Sequence, residues 1–204
     1  MGEYGPCLDA QFYKARMNLY LRNCKTKLHT LLIDHRRYRP VNGEANESPG
    51  WDTSVYEYTR DGMTCRMVCC IFLVAVAACG KRDTKQLLSV IPENYHVLIL
   101  AKSVTTHSLA VLEASPRYYE ILSFDDVLTP VLCHDYVPYY RRLEHQEIKE
   151  LRESVGHESK YGKLLFTVDI ITRLLDFRMG DVVEWIQWTS QGKVTGLRQV
   201  VSPT

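Results

Sequence analysis

Apolar side chains recur in steps of three and four near the start of the chain, at Tyr13, Met17, Tyr20/Leu21, Cys24, Leu28 and Leu31/Leu32. That period draws one stripe along a helix. Asp9 is placed to cap it, because a carboxylate can accept the unpaired amide protons of a first turn. Residues 40–62 contain Pro40, Gly43, Pro49, Gly50 and Gly62, a loop composition, with Val55–Tyr58 as a short strand inside it. Met67 to Ala78 is nearly continuous in apolar residues and rich in Val, Ile and Phe, which suits a strand buried on both faces and stopped by Gly80. Asp83 or Thr84 then starts a helix over Lys85–Val90. Tyr95–Ala101, Leu109–Glu113 and Tyr119–Ser123 read as further strands. Strands interleaved with helical segments make residues 1–133 an α/β domain, a small mixed sheet flanked by helices.

After Pro130 the pattern changes. Glu144–Val155 is a polar helix with Ile148, Leu151 and Val155 as its apolar positions, and Asp169–Phe177 is a short apolar helix with Thr167 as its cap. Val182–Trp188 and Val194–Val201, joined through Gly192, form a hairpin. Along its first strand Val183, Trp185 and Gln187 share one face, and Val182, Glu184, Ile186 and Trp188 the other. Residues 134–204 therefore read as a second, small α+β domain ending in a hairpin. Trp185 and Ile186 are expected in its core. Trp188, at the hairpin mouth, is expected to touch a partner.

Composition narrows the field without naming an activity. The 204 residues carry 25 Lys/Arg and 24 Asp/Glu and are 46% hydrophobic, which fits a soluble protein. The longest apolar run, 67–79, is too short for a bilayer that needs about 20 residues. The amino terminus shows no signal-peptide pattern, and Pro6 stands where a myristoylation motif wants Ser or Thr. Seven cysteines, odd in number and mostly inside apolar segments, read as free thiols in a reducing compartment. Charge is uneven: residues 1–40 have a net of +5, residues 41–133 a net of −4, and the remainder is neutral. A basic opening block can meet phosphates or be a solvated helix face, and composition does not separate the two.

Catalytic patterns are weak. Cys65, Cys69, Cys70 and Cys79 cluster, but in or beside an apolar strand and without paired turn-borne spacing, so free thiols are the reading and no metal or other cofactor is assigned. No P-loop, GxGxxG or GxSxG is present. Glu147-Ile148-Lys149 matches the ExK half of a metal-dependent nuclease motif, yet it sits on a polar helix where a salt-bridging surface explains it equally well. A nuclease or nuclease-like relic, and a free-standing DNA-binding module, stay open as alternatives.

His134-Asp135-Tyr136-Val137-Pro138, followed by Arg142-Leu143 and an acidic helix, resembles the entry to the assembly domain of the fifth subunit of eukaryotic nuclear RNA polymerases. The archaeal members of this family consist of that domain alone. The likeness continues through Asp169–Phe177, Arg178, Gly180, Asp181-Val182-Val183, Gly192 and Leu197-Arg198, about 70 residues in consistent spacing. Over the N-terminal part it is one of element order only. The chain departs from the family at Ile170, where a Pro is usual, at Lys163–Phe166, in a hairpin loop one residue short, and at Leu197, where an aromatic is usual.

The resemblance implies a non-catalytic polymerase subunit of the nucleus. Its N-terminal jaw would lie beside downstream duplex DNA, and its C-terminal domain would dock on the largest subunit. The departures suit a diverged copy fitted to one enzyme, with polymerase I, and so the nucleolus, favoured over II or III. On that reading Lys14, Arg36, Arg37 and Arg39 lie near DNA and contact it without reading sequence. His134, Pro138, Arg178, Trp188 and Arg198 face the largest subunit, the Trp and Arg residues as interface anchors. No membrane partner is expected.

Overall fold

The computed structural model describes residues 7–41, 48–74, 77–155, 161–166 and 168–203, with backbone only for 7–13 and 155. Two compact units emerge: Met1–Thr59 with Thr64–Leu128, and Arg60–Met63 with Thr129–Thr204. Both are mixed α/β, so the fold class is α/β with two small sheets.

The first unit begins with α1 (Cys7–Thr30), which already runs through Asp9, so Asp9 lies within the first turn and is not the residue ahead of it. The apolar stripe is the buried one: Cys24, Leu28, Leu31 and Leu32 are shielded from solvent, and Met17, Tyr20 and Leu21 are half-buried. Each fully buried Leu on this face contributes roughly 1.5–3 kcal/mol. Tyr13 of the stripe has no described side chain. The helix ends in a wider π turn, Leu31–His35, where the Arg36 amide donates to Leu31 O, five residues back, at 3.0 Å.

Five strands follow in the order β1 (Arg39–Val41), β2 (Trp51–Arg60), β3 (Met63–Phe72), β4 (His96–Ala101) and β5 (Tyr119–Ser123). Strand β1 is antiparallel to β2, whereas β3, β4 and β5 run parallel. The expected loop over 40–62 is thus largely strand. Its sequence alternates, with Trp51, Thr53 and Val55 buried and Asp52 and Ser54 half-exposed, and it ends at Asp61-Gly62. Both turn residues take positive φ, 51° and 77°, the left-handed pair that a tight hairpin between twisted strands requires. Strand β3 stops at Phe72, short of the expected Ala78, and Leu73 and Val74 are exposed.

Parallel neighbours need crossovers, supplied by α2 (Lys81–Val90) and α3 (Thr106–Glu113). Helix α2 starts earlier than expected because the Asp83 carboxylate accepts the Gly80 amide at 2.9 Å. Its far end is closed by Arg117, whose guanidinium donates to Leu88 O and Ile91 O at 3.1 and 2.8 Å, cation against the negative pole. Leu109–Glu113, expected as a strand, is the body of α3. The Thr105 hydroxyl accepts the Ser108 amide and starts that helix. Side chains of Trp51, Val68, Cys70, Phe72, Leu87, Val97, Ile99 and Leu112 form one core cluster. Alternation along β3 leaves Met67, Cys69 and Ile71, also buried, for the opposite face. On that face α1 reaches β2, through Lys25 to Asp52 and His29 to Tyr56. The short helix α4 (Phe124–Leu128) closes the unit, with the Phe124 ring edge-on to Tyr20.

The second unit is a four-stranded sheet ordered β6 (Tyr139–Arg142), β8 (Val182–Thr189), β9 (Gly192–Val201), β7 (Gly162–Leu165), with helices α5 (His145–Val155) and α6 (Ile170–Leu174). Strand β8 is antiparallel to both β6 and β9, and β7 is parallel to β9. Leu164, Ile171, Phe177, Val183 and Val200 make the core. Helix α6 is shorter than the expected Asp169–Phe177. Asp169 is its N-terminal flank, with its carboxylate accepting the Leu165 amide at 2.5 Å. The run ends before Asp176, which turns left-handed at φ 53°. Thr167, the expected cap, lies outside the described residues.

Candidate interaction surfaces

Of the basic residues expected near DNA, Lys14, Arg37 and Arg39 are exposed, the first on α1 and the last on β1. Arg37 holds a φ of 60° at the bend between the π turn and β1. Arg36 is different. Its side chain is only 1% accessible and pairs with Glu120 on β5 at 2.8 Å, with the guanidinium carbon 5.8 Å from the centre of the Tyr38 ring. A buried guanidinium committed to a carboxylate of its own unit cannot reach a phosphate, so Arg36 leaves the set. Over its described side chains, α1 is basic without interruption: Lys14, Arg16, Arg22, Lys25 and Lys27 are exposed and no acid interrupts them.

The residues expected at the largest-subunit interface do not form one patch. Cross-strand partners share a sheet face, so the register sorts them. Trp188 lies opposite Lys193, on the face that carries Ile186, Leu197 and, from β6, Tyr139. Arg198 lies opposite Val183, on the core face. Trp188 and Arg198 therefore point to opposite sides of the hairpin. Arg178 is half-buried with its guanidinium on the Asp176 carboxylate at 3.2 Å, and its amide donates to Asp181 Oδ2 at 2.6 Å, so it helps shape the turn into β8. His134 is exposed, its ring beside that of Tyr136, and Pro138 is half-buried ahead of β6.

What stands out on this unit is aromatic. Trp188 is 76% exposed, Tyr139 53% and Tyr136 82%, large values for side chains that usually bury most of their area. The hairpin carries Trp188 beyond the end of β6, whose pairing stops at Tyr139 and Ile186. Trp185 and Ile186, expected as core, are only half-buried. Neither Tyr136, although part of the motif that opens the second unit, nor Tyr139 is assigned an interface role by the sequence. Their spacing on either side of Pro138 is visible there, but a tyrosine's exposure depends on strand ends that periodicity does not locate.

The polar clusters of this unit are internally compensated. Arg60 donates to both Asp181 oxygens at 2.7 and 2.8 Å and to Asp176 O at 3.2 Å. Arg142 joins Asp61 and Glu144 at 2.9 and 3.1 Å. Glu147, half of the ExK pattern, accepts the Glu144 amide at 2.8 Å and Arg141 Nη1 at 2.7 Å. It therefore closes the first turn of α5 as a capping carboxylate. Those two bonds, the amide first, hold its pKa below the usual Glu range. Among the described residues no three His, Cys, Asp or Glu side chains are placed to hold a metal ion. Cys65, Cys69 and Cys70 lie along β3, the last two buried, and burial pushes the Cys69 thiol up to about 12 and Cys70 well above its ordinary value. No described helix is long and apolar enough to cross a membrane.

No family model matches the chain, and no curated protein matches it.

Proposed function

We propose that this protein is a non-catalytic component of a nuclear RNA polymerase. Its second unit would dock on the largest subunit through the face carrying Tyr139, Ile186 and Trp188. Its first unit would approach downstream duplex DNA with Lys14 of α1 and with Arg37 and Arg39. The observation that carries this reading is the exposure of Trp188 and Tyr139 on one face of the second sheet. Both stand within the same 70 residues whose motif series resembles the polymerase assembly domain. Exposed Trp and Tyr side chains are costly to leave in water and are typical anchors of protein interfaces. Scattered Lys and Arg suit a surface that must tolerate every DNA sequence, because they meet phosphates and not base edges. Polymerase I is the favoured enzyme, which would place the protein in the nucleolus.

The nuclease alternative is the weaker reading, since both Glu147 oxygens already have structural partners. The test is affinity purification of the tagged protein from nuclear extract, with mass spectrometry of what co-elutes. Recovery of a polymerase largest subunit in stoichiometric amount is expected. Recovery of the tagged chain alone would overturn the proposal.

A further inference from the structure

The first unit has a pocket that the polymerase reading does not use. It lies between α1 and the β1–β2 edge of the sheet, with a volume of about 500 Å³, inside the range of small-ligand and side-chain pockets. One wall is basic: Arg22, Lys25 and His29 project from a single face of α1. The opposite lining is mixed, with Pro40, Val41 and the body of Tyr56 beside Thr53 and Ser54 of β2.

The charge on that wall is only partly answered. Lys25 meets Asp52 at 2.7 Å, through both carboxylate oxygens. His29 Nδ1 is 2.9 Å from the Tyr56 hydroxyl, which leaves Nε2 for another group. Arg22 is exposed and makes no ion pair among the described residues. A guanidinium fork donates two parallel hydrogen bonds to a carboxylate, a geometry that fixes orientation as well as charge. Convex duplex DNA can meet the rim of such a pocket but cannot enter it. A flexible chain can place a carboxylate on the basic wall and an adjacent apolar side chain against Pro40, Val41 and Tyr56.

We infer that this pocket is a docking site for an acidic peptide segment of a partner protein, in which carboxylates alternate with apolar side chains. Arg22 is the principal contact, with Lys25 and His29 beside it. The inference does not depend on polymerase membership and is tested on the isolated full-length chain.

The probe is a short fluorescein-labelled peptide of alternating Glu and Leu, followed by anisotropy. Saturable binding is expected, weakened about tenfold by Arg22→Glu, as loss of a charge-assisted pair would give. Lys14→Glu makes the same charge change on α1 outside the pocket and is expected to weaken binding much less. Ser54→Trp fills the pocket without changing charge and is also expected to weaken binding, with circular dichroism checking that each variant is folded. Equal losses for Arg22→Glu and Lys14→Glu would overturn the inference, by showing only diffuse attraction. So would equal binding of a Gln/Leu peptide, preference for a phosphoserine peptide over the Glu peptide, or displacement of the peptide by duplex DNA with the same sensitivity to Arg22→Glu.

Discussion

The indole of Trp185 lies across Gly196, its partner on the neighbouring strand, so closely that a Cβ at 196 would come 2.5 Å from Nε1 and 2.7 Å from Cε2. The absent side chain is what lets the ring lie flat on the sheet. Gly196→Ala is expected to destabilise the protein by about 1–3 kcal/mol, the usual penalty for an overpacked contact. Urea denaturation measures it, and repeating it with Trp185→Ala isolates the cause. In that background the glycine substitution should cost little, and an unchanged cost would mean that the ring is not the obstacle.

Trp188 is the opposite case. With 76% of its surface in water it supports little of its own unit. Trp188→Ala is expected to change stability by less than about 0.5 kcal/mol, as ordinary surface substitutions do. Co-purification with a polymerase largest subunit should fall several-fold. Retained co-purification would remove this residue from the docking surface, and a large stability loss would make it a core residue.

Much of this architecture is legible in the sequence, and the failures have physical reasons. The α1 stripe, the parallel strands β4 and β5, helix α5 and the terminal hairpin all follow from the apolar pattern, β4 as an unbroken run because both of its faces are buried. Helix α3 reads as a strand since Leu109–Glu113 is short and apolar, a length at which the two periods look alike; Thr105 is the overlooked signal. Strand β2 is hidden by Pro49 and Gly50 just before it, although Asp61-Gly62 is a hairpin signature. Arg36 cannot be separated from Arg37 and Arg39 by sequence, because its burial depends on Glu120, far along the chain. The face on which Arg198 points follows from register, and the expected interface patch mixes both faces of the hairpin.

The capping role of Glu147 predicts a pH dependence. Its folded-state pKa lies below the ordinary value of 4.5, set first by the Glu144 amide and then by Arg141. A depressed carboxylate stabilises the fold fully above that ordinary value, and the contribution is lost as pH falls through the lowered one. Glu147→Gln should therefore be less stable than the parent near neutral pH, with the gap closing in strong acid. Denaturation curves at several pH values measure this. A gap that widens on acidification would contradict the assignment.

Thiol reactivity should divide by burial. Cys69 and Cys70 are enclosed on β3, with burial holding both thiols protonated at neutral pH, while Cys133 is exposed. Only the thiolate attacks an alkylating reagent. Mass spectrometry of iodoacetamide-treated native protein should show rapid modification at Cys133 and none at Cys69 or Cys70 until denaturant is added. Early labelling of Cys70 would mean that β3 opens readily.

The turn Arg60–Met63 belongs to the second unit although the strands it joins belong to the first. No single cut of the polypeptide can therefore release the C-terminal unit whole. A fragment starting at Thr129 would leave behind the guanidinium that answers Asp181. Anyone isolating that half should graft the turn back or neutralise the orphaned acid, and should expect the plain truncation to behave worse than the intact protein.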